Sequence, residues 1–302
     1  MRRENFLRLS IGLSTGFFLP GTLVRPENEE KSGLSILYTN DTHSRIDPFP
    51  EHAIRHAGKG GMARRAALID QIRNSGREVL LLDAGDLFFG TSWYQVHGGR
   101  VEIELMNRMG YDAACLGEHD LTGGLDAFAE AASRANFPFL CANYRVKETP
   151  LDPWVRQFII RERGGFRIGI FGLGINFYPF LKKEQYGALR YGNPYNWAER
   201  LVDHLRVAGR CDYLICLSHL GYRQSGREPD DCKLAEKVAG IDLIIGGHTH
   251  TFLDEPVSVK NAAGRTLVTQ AGHSGLRLGR IDLVRNTEGV PVESTPQTLS
   301  VV

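Results

Sequence analysis

The chain has 302 residues, 42% of them hydrophobic and 24% charged, which supplies a core for one large domain or two small ones. Its formal net charge of +1 excludes a global attraction to nucleic acid polymers or to an anionic membrane surface. The five cysteines have no Cys-x-x-Cys spacing and mostly sit in apolar runs, so they read as small buried hydrophobes and not as a disulfide framework.

Residues 1–31 read as an export signal and linker. Paired Arg2 and Arg3, followed by Phe6-Leu7-Arg8, head a mildly apolar, Gly/Ser-containing stretch from Leu9 to Val24. A basic head on a modest apolar segment is the pattern of an export signal, and the paired arginines suggest the twin-arginine route to a periplasmic or cell-envelope location. The stretch is too short and too interrupted by Gly and Pro for a transmembrane helix. A ragged basic terminus is the competing reading. No Ala-x-Ala site precedes Arg25, which leaves cleavage and retention both open. Pro26 to Lys31 forms a charged linker.

Residues 32–302 read as a single domain. Apolar, β-prone runs at Leu34–Thr39, Val79–Asp83, Ala113–Leu116, Phe137–Cys141, Tyr213–Ser218 and Leu243–Gly246 predict strands. Helix-period segments lie at Met62–Asn74, Val101–Met109, Leu125–Ala135, Trp197–Val207 and Leu234–Val238. This alternation predicts an α/β fold. Gln157–Arg163 and Phe166–Gly172 flank Gly164-Gly165 and predict a hairpin. Thr266–Gln270 and Leu276–Val284 add strands with no helix between them, so two sheets are expected.

Five of the loops that follow strands carry metal-type ligands. In order they are Asn40-Asp41-Thr42-His43, Asp83-Ala84-Gly85-Asp86, Gly117-Glu118-His119-Asp120, Ser218-His219-Leu220-Gly221 and Gly246-Gly247-His248-Thr249-His250. Ligands of open α/β sheets bind beyond the carboxyl ends of the strands, so the five loops can converge. Each motif alone is weak. A lone Asp-x-His is usually a solvated turn, and an Asp after a strand is commonly a helix cap. The set is the signal. Mixed imidazole and carboxylate ligands suit Mn, Zn, Fe or Co, and the lack of a Cys-rich set argues against a structural zinc.

This order of motifs resembles the calcineurin-like metallophosphoesterases. Thr39-Asn40-Asp41-Thr42-His43-Ser44-Arg45 and Gly60-Gly61-Met62-Ala63-Arg64-Arg65 resemble the 5′-nucleotidase branch, and the likeness runs from about Leu34 to Arg285. The resemblance implies a four-layer α-β-β-α sandwich of two mixed sheets and a centre of two divalent transition-metal ions. It implies that Asp41, His43 and His250 hold one ion, that Glu118, His219 and His248 hold the other, and that Asp86 bridges them. It further implies hydrolysis of nucleotides or similar small phosphate esters by a metal-bound hydroxide, with His119 beside the leaving group. Arg45 is a candidate phosphate contact, a solvated arginine being the alternative.

The third loop departs from the family pattern. Glu118 stands where the family has Asn, adding negative charge where a phosphate must approach. Thr122 stands where the nucleotidase branch has the Asp that orients the histidine, and Asp120 is the candidate to substitute for it. These two changes support an alternative, a catalytically impaired metal-bound domain that binds a phosphorylated ligand or a partner chain. The chain ends at Val302, whereas the resembling nucleotidases continue into a base-stacking domain. Either the substrate is small or loosely selected, or a separate protein supplies that half.

Overall fold

The computed structural model describes residues 33–302, so the export signal and linker expected at 1–31 lie outside the described residues. Leu34–Thr39, Glu78–Asp83, Ala113–Cys115, Phe139–Leu140 and Val155–Arg156 are consecutive parallel neighbours in one sheet. Arg277–Arg285 pairs antiparallel with Leu34–Thr39, and Pro291–Ser300 completes the seven strands at that edge. The second sheet, of six strands, places Phe166–Leu173, Tyr213–Ser218, Leu243–Gly246 and Gly264–Thr269 in parallel. Antiparallel Phe158–Arg163 and Val257–Asn261 flank them.

The strands are apolar on both faces because both faces are covered. Leu34, Ile36 and Tyr38 point at the other sheet and meet Ile168, Ile215 and Ile245 in a shared buried layer. Leu37 and Leu81 face the other way, onto Met62–Arg73, Arg100–Met109 and Leu125–Ala132 through Ile69, Ile103, Met106 and Phe128. Beyond the second sheet, Leu201, Leu205 and Leu234 of the helices Pro194–Val207 and Asp231–Lys237 cover Leu214, Cys216 and Ile244. The result is the expected four-layer α-β-β-α sandwich of two mixed sheets. A hydrogen bond crosses the inter-sheet layer between Tyr38 Oη and Thr269 Oγ1 at 2.7 Å.

Element boundaries differ from the sequence reading where side chains decide them. The helix expected from Trp197 starts at Pro194, because the Asn193 side chain accepts from the Tyr195 and Asn196 amides and proline suits the first turn. The helix expected from Leu234 starts at Asp231, with Asp230 accepting from the Lys233 amide. The helix from Leu125 stops at Ala132, and the run Phe137–Cys141 is paired only over Phe139–Leu140. Elements not read in the sequence include the helices Ser92–His97 and Lys183–Tyr186, the strands Val257–Asn261 and Pro291–Ser300, and the two-residue strands Tyr144–Arg145, Val155–Arg156 and Arg190–Tyr191. The hairpin is as expected, with Gly164 at φ 60° and Gly165 at φ 79° between Arg163 and Phe166. All five cysteines are free and buried. Among the described residues no helix is long and apolar enough to cross a membrane.

Candidate metal centre

Both sheets send the carboxyl ends of their parallel strands to the same edge, and the five loops meet there. Backbone bonds lock them together. Asp41 N donates to Gly85 O at 2.9 Å, His43 N to Asp86 O at 3.0 Å, and His119 N to Asp86 Oδ1 at 2.9 Å. Across the sheets, His248 N donates to Asp41 Oδ1 at 3.0 Å and the His219 ring meets Ala84 O through Nδ1 at 2.7 Å.

The ligand atoms of Asp41, His43 and His250 lie within 4.8 Å of one another, as do those of Glu118, His219 and His248. Asp86 stands between the two groups. Its Oδ2 is 3.2 Å from His219 Nε2 and 3.9 Å from His43 Nε2. His43 and His250 point Nε2 at each other across 2.9 Å, and His250 Nε2 is 3.4 Å from Asp41 Oδ1. Glu118 reaches His248 Nδ1 at 2.9 Å with one oxygen and His219 Nε2 at 3.2 Å with the other. All seven residues expected as ligands are therefore together.

Two features of this cluster fit a cation better than a self-contained hydrogen-bond network. Because His219 Nδ1 faces the Ala84 carbonyl, it must carry a ring proton there, and Nε2 is the atom left to face the cluster. That nitrogen and Glu118 Oε2 are both buried without a hydrogen-bond partner. Buried polar atoms are nearly always partnered, so two orphans aimed into one ring of acids and imidazoles ask for a positive charge. The electrostatics agree. Burial disfavours charge on His219, yet the Asp86 and Glu118 carboxylates hold its pKa well above the usual imidazole range. Burial likewise opposes the Glu118 anion, and the adjacent His219 and His248 rings still bring its pKa far below the usual carboxylate range.

The backbone is strained at the same place. Asp41, His43, Asp86, His248 and His250 all have positive φ, at 49°, 46°, 56°, 69° and 53°. Left-handed backbone costs a non-glycine residue about 1–3 kcal/mol, so five together mark a segment held by its surroundings. Close approach is made possible by glycine. A Cβ on Gly117 would overlap Asp86 Oδ1, and one on Gly247 would lie 2.7 Å from His219 Nδ1.

Asp120 has a different place from the one considered for it. Its two oxygens accept from the amides of Asp86, Leu87, Phe88 and Gly117 at 2.8–3.1 Å, clamping the second loop to the third. Burial and the Asp86 charge push its pKa up, while these amides pull it back. The His119 ring is instead flanked by aromatic rings, stacked on Phe89 at 5.3 Å and 2° and edge-on to His43 at 5.3 Å. Thr122 closes the short turn through its amide to His119 O. Arg45 lays its guanidinium over the Phe49 ring at 4.3 Å.

Several supporting residues were missed in the sequence. Asn40 donates to Asp41 Oδ2 and to Gly272 O, both at 2.6 Å, and accepts from Ala271 N. His273 stacks on His250 at 5.0 Å, and burial followed by the His250 charge lowers its pKa to about 4. Arg65 is fully buried, and its charge pulls down the pKa of buried Asp83, which burial nonetheless raises to about 7. Asn40 lies inside a motif already singled out, so its proximity to Asp41 was a usable signal. For His273 there was none.

Known proteins place these features in a lineage. Residues 34–252 match the family model described as Calcineurin-like phosphoesterase. A snake venom 5′-nucleotidase of Naja atra is 35% identical over 251 residues, covering 80% of this chain and 46% of that protein. The 5′-nucleotidase of Homo sapiens is 33% identical over 243 residues, covering 77% of this chain and 41% of its own length. Among solved structures, a 5′-nucleotidase precursor from Thermus thermophilus superposes with a TM-score of 0.79 at 30% identity, over 88% of this chain and 54% of that one. The chain thus spans about half the length of the curated relatives it matches. With most of its length matched by the family model and its acid–imidazole loops gathered at one edge of two facing sheets, the chain belongs to the calcineurin-like phosphoesterase family.

Proposed function

We propose that the chain is a binuclear metal-dependent hydrolase of nucleotides or similar small phosphate esters. The observation that carries this is the pair of buried, partnerless atoms, His219 Nε2 and Glu118 Oε2, inside a ring of seven ligands. Asp41, His43 and His250 would hold one ion, and Glu118, His219 and His248 the other, with Asp86 shared. When bound, two such ions supply an activated water and neutralise charge on the phosphoryl oxygens. The protein's own residues do the rest. The Ala84 carbonyl keeps His219 in its ligating tautomer, and the amide of His119 holds one Asp86 oxygen so that the other turns inward. His119 is half-buried beside this ring and is the group placed to donate a proton to the departing oxygen.

A substrate panel tests this reading. Protein stripped by chelator and reloaded with Mn, Zn or Co should recover turnover on nucleotides, cyclic nucleotides, sugar nucleotides or simple esters. Two bound ions with no turnover on the panel would favour the impaired, ligand-binding alternative. The combined change of Glu118→Asn with Thr122→Asp should raise kcat about 10-fold, because it removes an anion facing the phosphate and supplies a partner for His119. A fall would mean that the carboxylate is a required ligand here.

Export belongs to the same proposal, supported by the paired Arg2 and Arg3 ahead of an apolar stretch. Changing both to lysine should retain the protein in the cytoplasm in a fractionation assay. Unaltered export would exclude the twin-arginine route.

A further inference from the structure

Gln270 follows the strand Gly264–Thr269, lies behind the fifth loop, and is wholly buried. Its carboxamide meets that loop at alternate residues. Nε2 donates to the Gly247 carbonyl, and Oε1 accepts from the Thr251 amide and, at 3.2 Å, from the Thr249 hydroxyl. Between these anchors stand His248 and His250, one from each candidate ligand group. We infer that Gln270 is a positioning residue for the candidate metal centre, fixing both imidazoles from behind through one carboxamide. The inference rests on the binuclear reading and adds to it a residue outside the five ligand loops.

The backbone of the fifth loop calls for such a support. His248 and His250 are both left-handed, a region that non-glycine residues keep only where their surroundings over-determine it. Relaxation of either residue to right-handed backbone would swing its ring away from its carboxylate neighbour, Glu118 at 2.9 Å for His248 and Asp41 at 3.4 Å for His250. Glutamine suits the task because each end of its carboxamide has an obligate partner. A backbone amide only donates and a carbonyl only accepts, so the group has one orientation here. Thr249 extends the clamp, since its Oγ1 also accepts from the Tyr222 amide at 3.0 Å, just past the fourth loop.

The backbone around Gln270 reaches the first loop as well. The Gln270 carbonyl accepts from the Leu253 amide at 3.2 Å, and Gly272 N donates to Thr251 O at 3.0 Å. Ala271 N donates to Asn40 Oδ1 at 2.8 Å, and Asn40 donates in turn to Asp41. Residues 270–272 therefore hold His248 and His250 by a side chain and Asp41 through Asn40. Loss of the carboxamide should weaken both ion positions together.

Calorimetric titration of the chelator-stripped full chain with Mn and with Zn tests the assignment, below the unfolding temperature of every variant. Gln270→Met keeps the side-chain length and removes both polar ends, so Kd should rise about 10-fold for both ions. Tyr38→Phe is the control, because it removes the buried hydroxyl bonded to Thr269, one residue before Gln270. It should lower Tm and leave both Kd values unchanged, which separates positioning from stability. Gln270→Glu keeps the acceptor for Thr251 and loses only the donor to Gly247. It serves where Gln270→Met does not fold, with a rise in Kd of about 3-fold expected. Unchanged Kd values in the Gln270 variants, or an equal rise in Tyr38→Phe, would overturn the assignment. If the unaltered chain takes up fewer than two ions, the binuclear reading fails, and hydrogen exchange on the metal-free protein decides the clamp. The His248 amide bonds to Asp41 and not to Gln270, and it should exchange about 10-fold faster in the Gln270 variants than in Tyr38→Phe. Equal rates would show that Gln270 does not position this segment.

Discussion

Asp86→Ala is expected to lower phosphoester turnover by about 10³-fold and to leave fewer than two ions per chain by elemental analysis. Its Oδ2 is close to both ligand groups, near His219 at 3.2 Å and His43 at 3.9 Å. Its Oδ1 anchors the His119 amide, so the side chain also ties the third loop to the second. Asp86→Asn separates these roles. It keeps an acceptor for the amide and loses the charge, so turnover should fall steeply while the melting temperature changes little. Two ions and near-normal turnover in Asp86→Ala would remove Asp86 from the shared position.

The largest loss of stability should come from Asp120→Ala. Four buried amides lose their acceptor at once. Each orphaned buried amide costs about 1–3 kcal/mol, partly relieved by relaxation or water entry, giving a net loss of about 4 kcal/mol. For a domain of this size that is a fall of roughly 10 °C in Tm, read by calorimetry on chelated protein so that metal affinity does not intrude. Asp120→Asn should fall in between, since its NH₂ faces amides that are themselves donors. A variant as stable as the parent would show that the clamp carries no weight.

The candidate ligand cluster was legible because its chemistry is local. An acid or imidazole after five of the strands, with glycine beside four of them, announces itself in a single line of sequence, and strand parallelism gathers the loops. The four layers were legible from runs such as Val79–Leu82, apolar at every position because two faces need cover. What stayed hidden depends on partners distant in the chain. Asp120 reads as a neighbour of His119, but its partners at 86–88 are set by how two loops stack. His273 joins the site only because the strand after Ser274 brings it back against His250. The edge strands Val257–Asn261 and Pro291–Ser300, with few apolar residues, look like loops until a neighbour supplies their hydrogen bonds.

The amide clamp has a consequence for how such a centre changes over time. Glu118 has ordinary right-handed backbone, at φ −70°, and lies between Gly117 and His119, whose amides are both tied to aspartates. Its side chain can therefore be exchanged without moving the six other candidate ligands. Position 118 acts as an interchangeable part in a fixed socket, so a lineage can try a neutral or an anionic group there in one step and retain the fold while the chemistry is retuned.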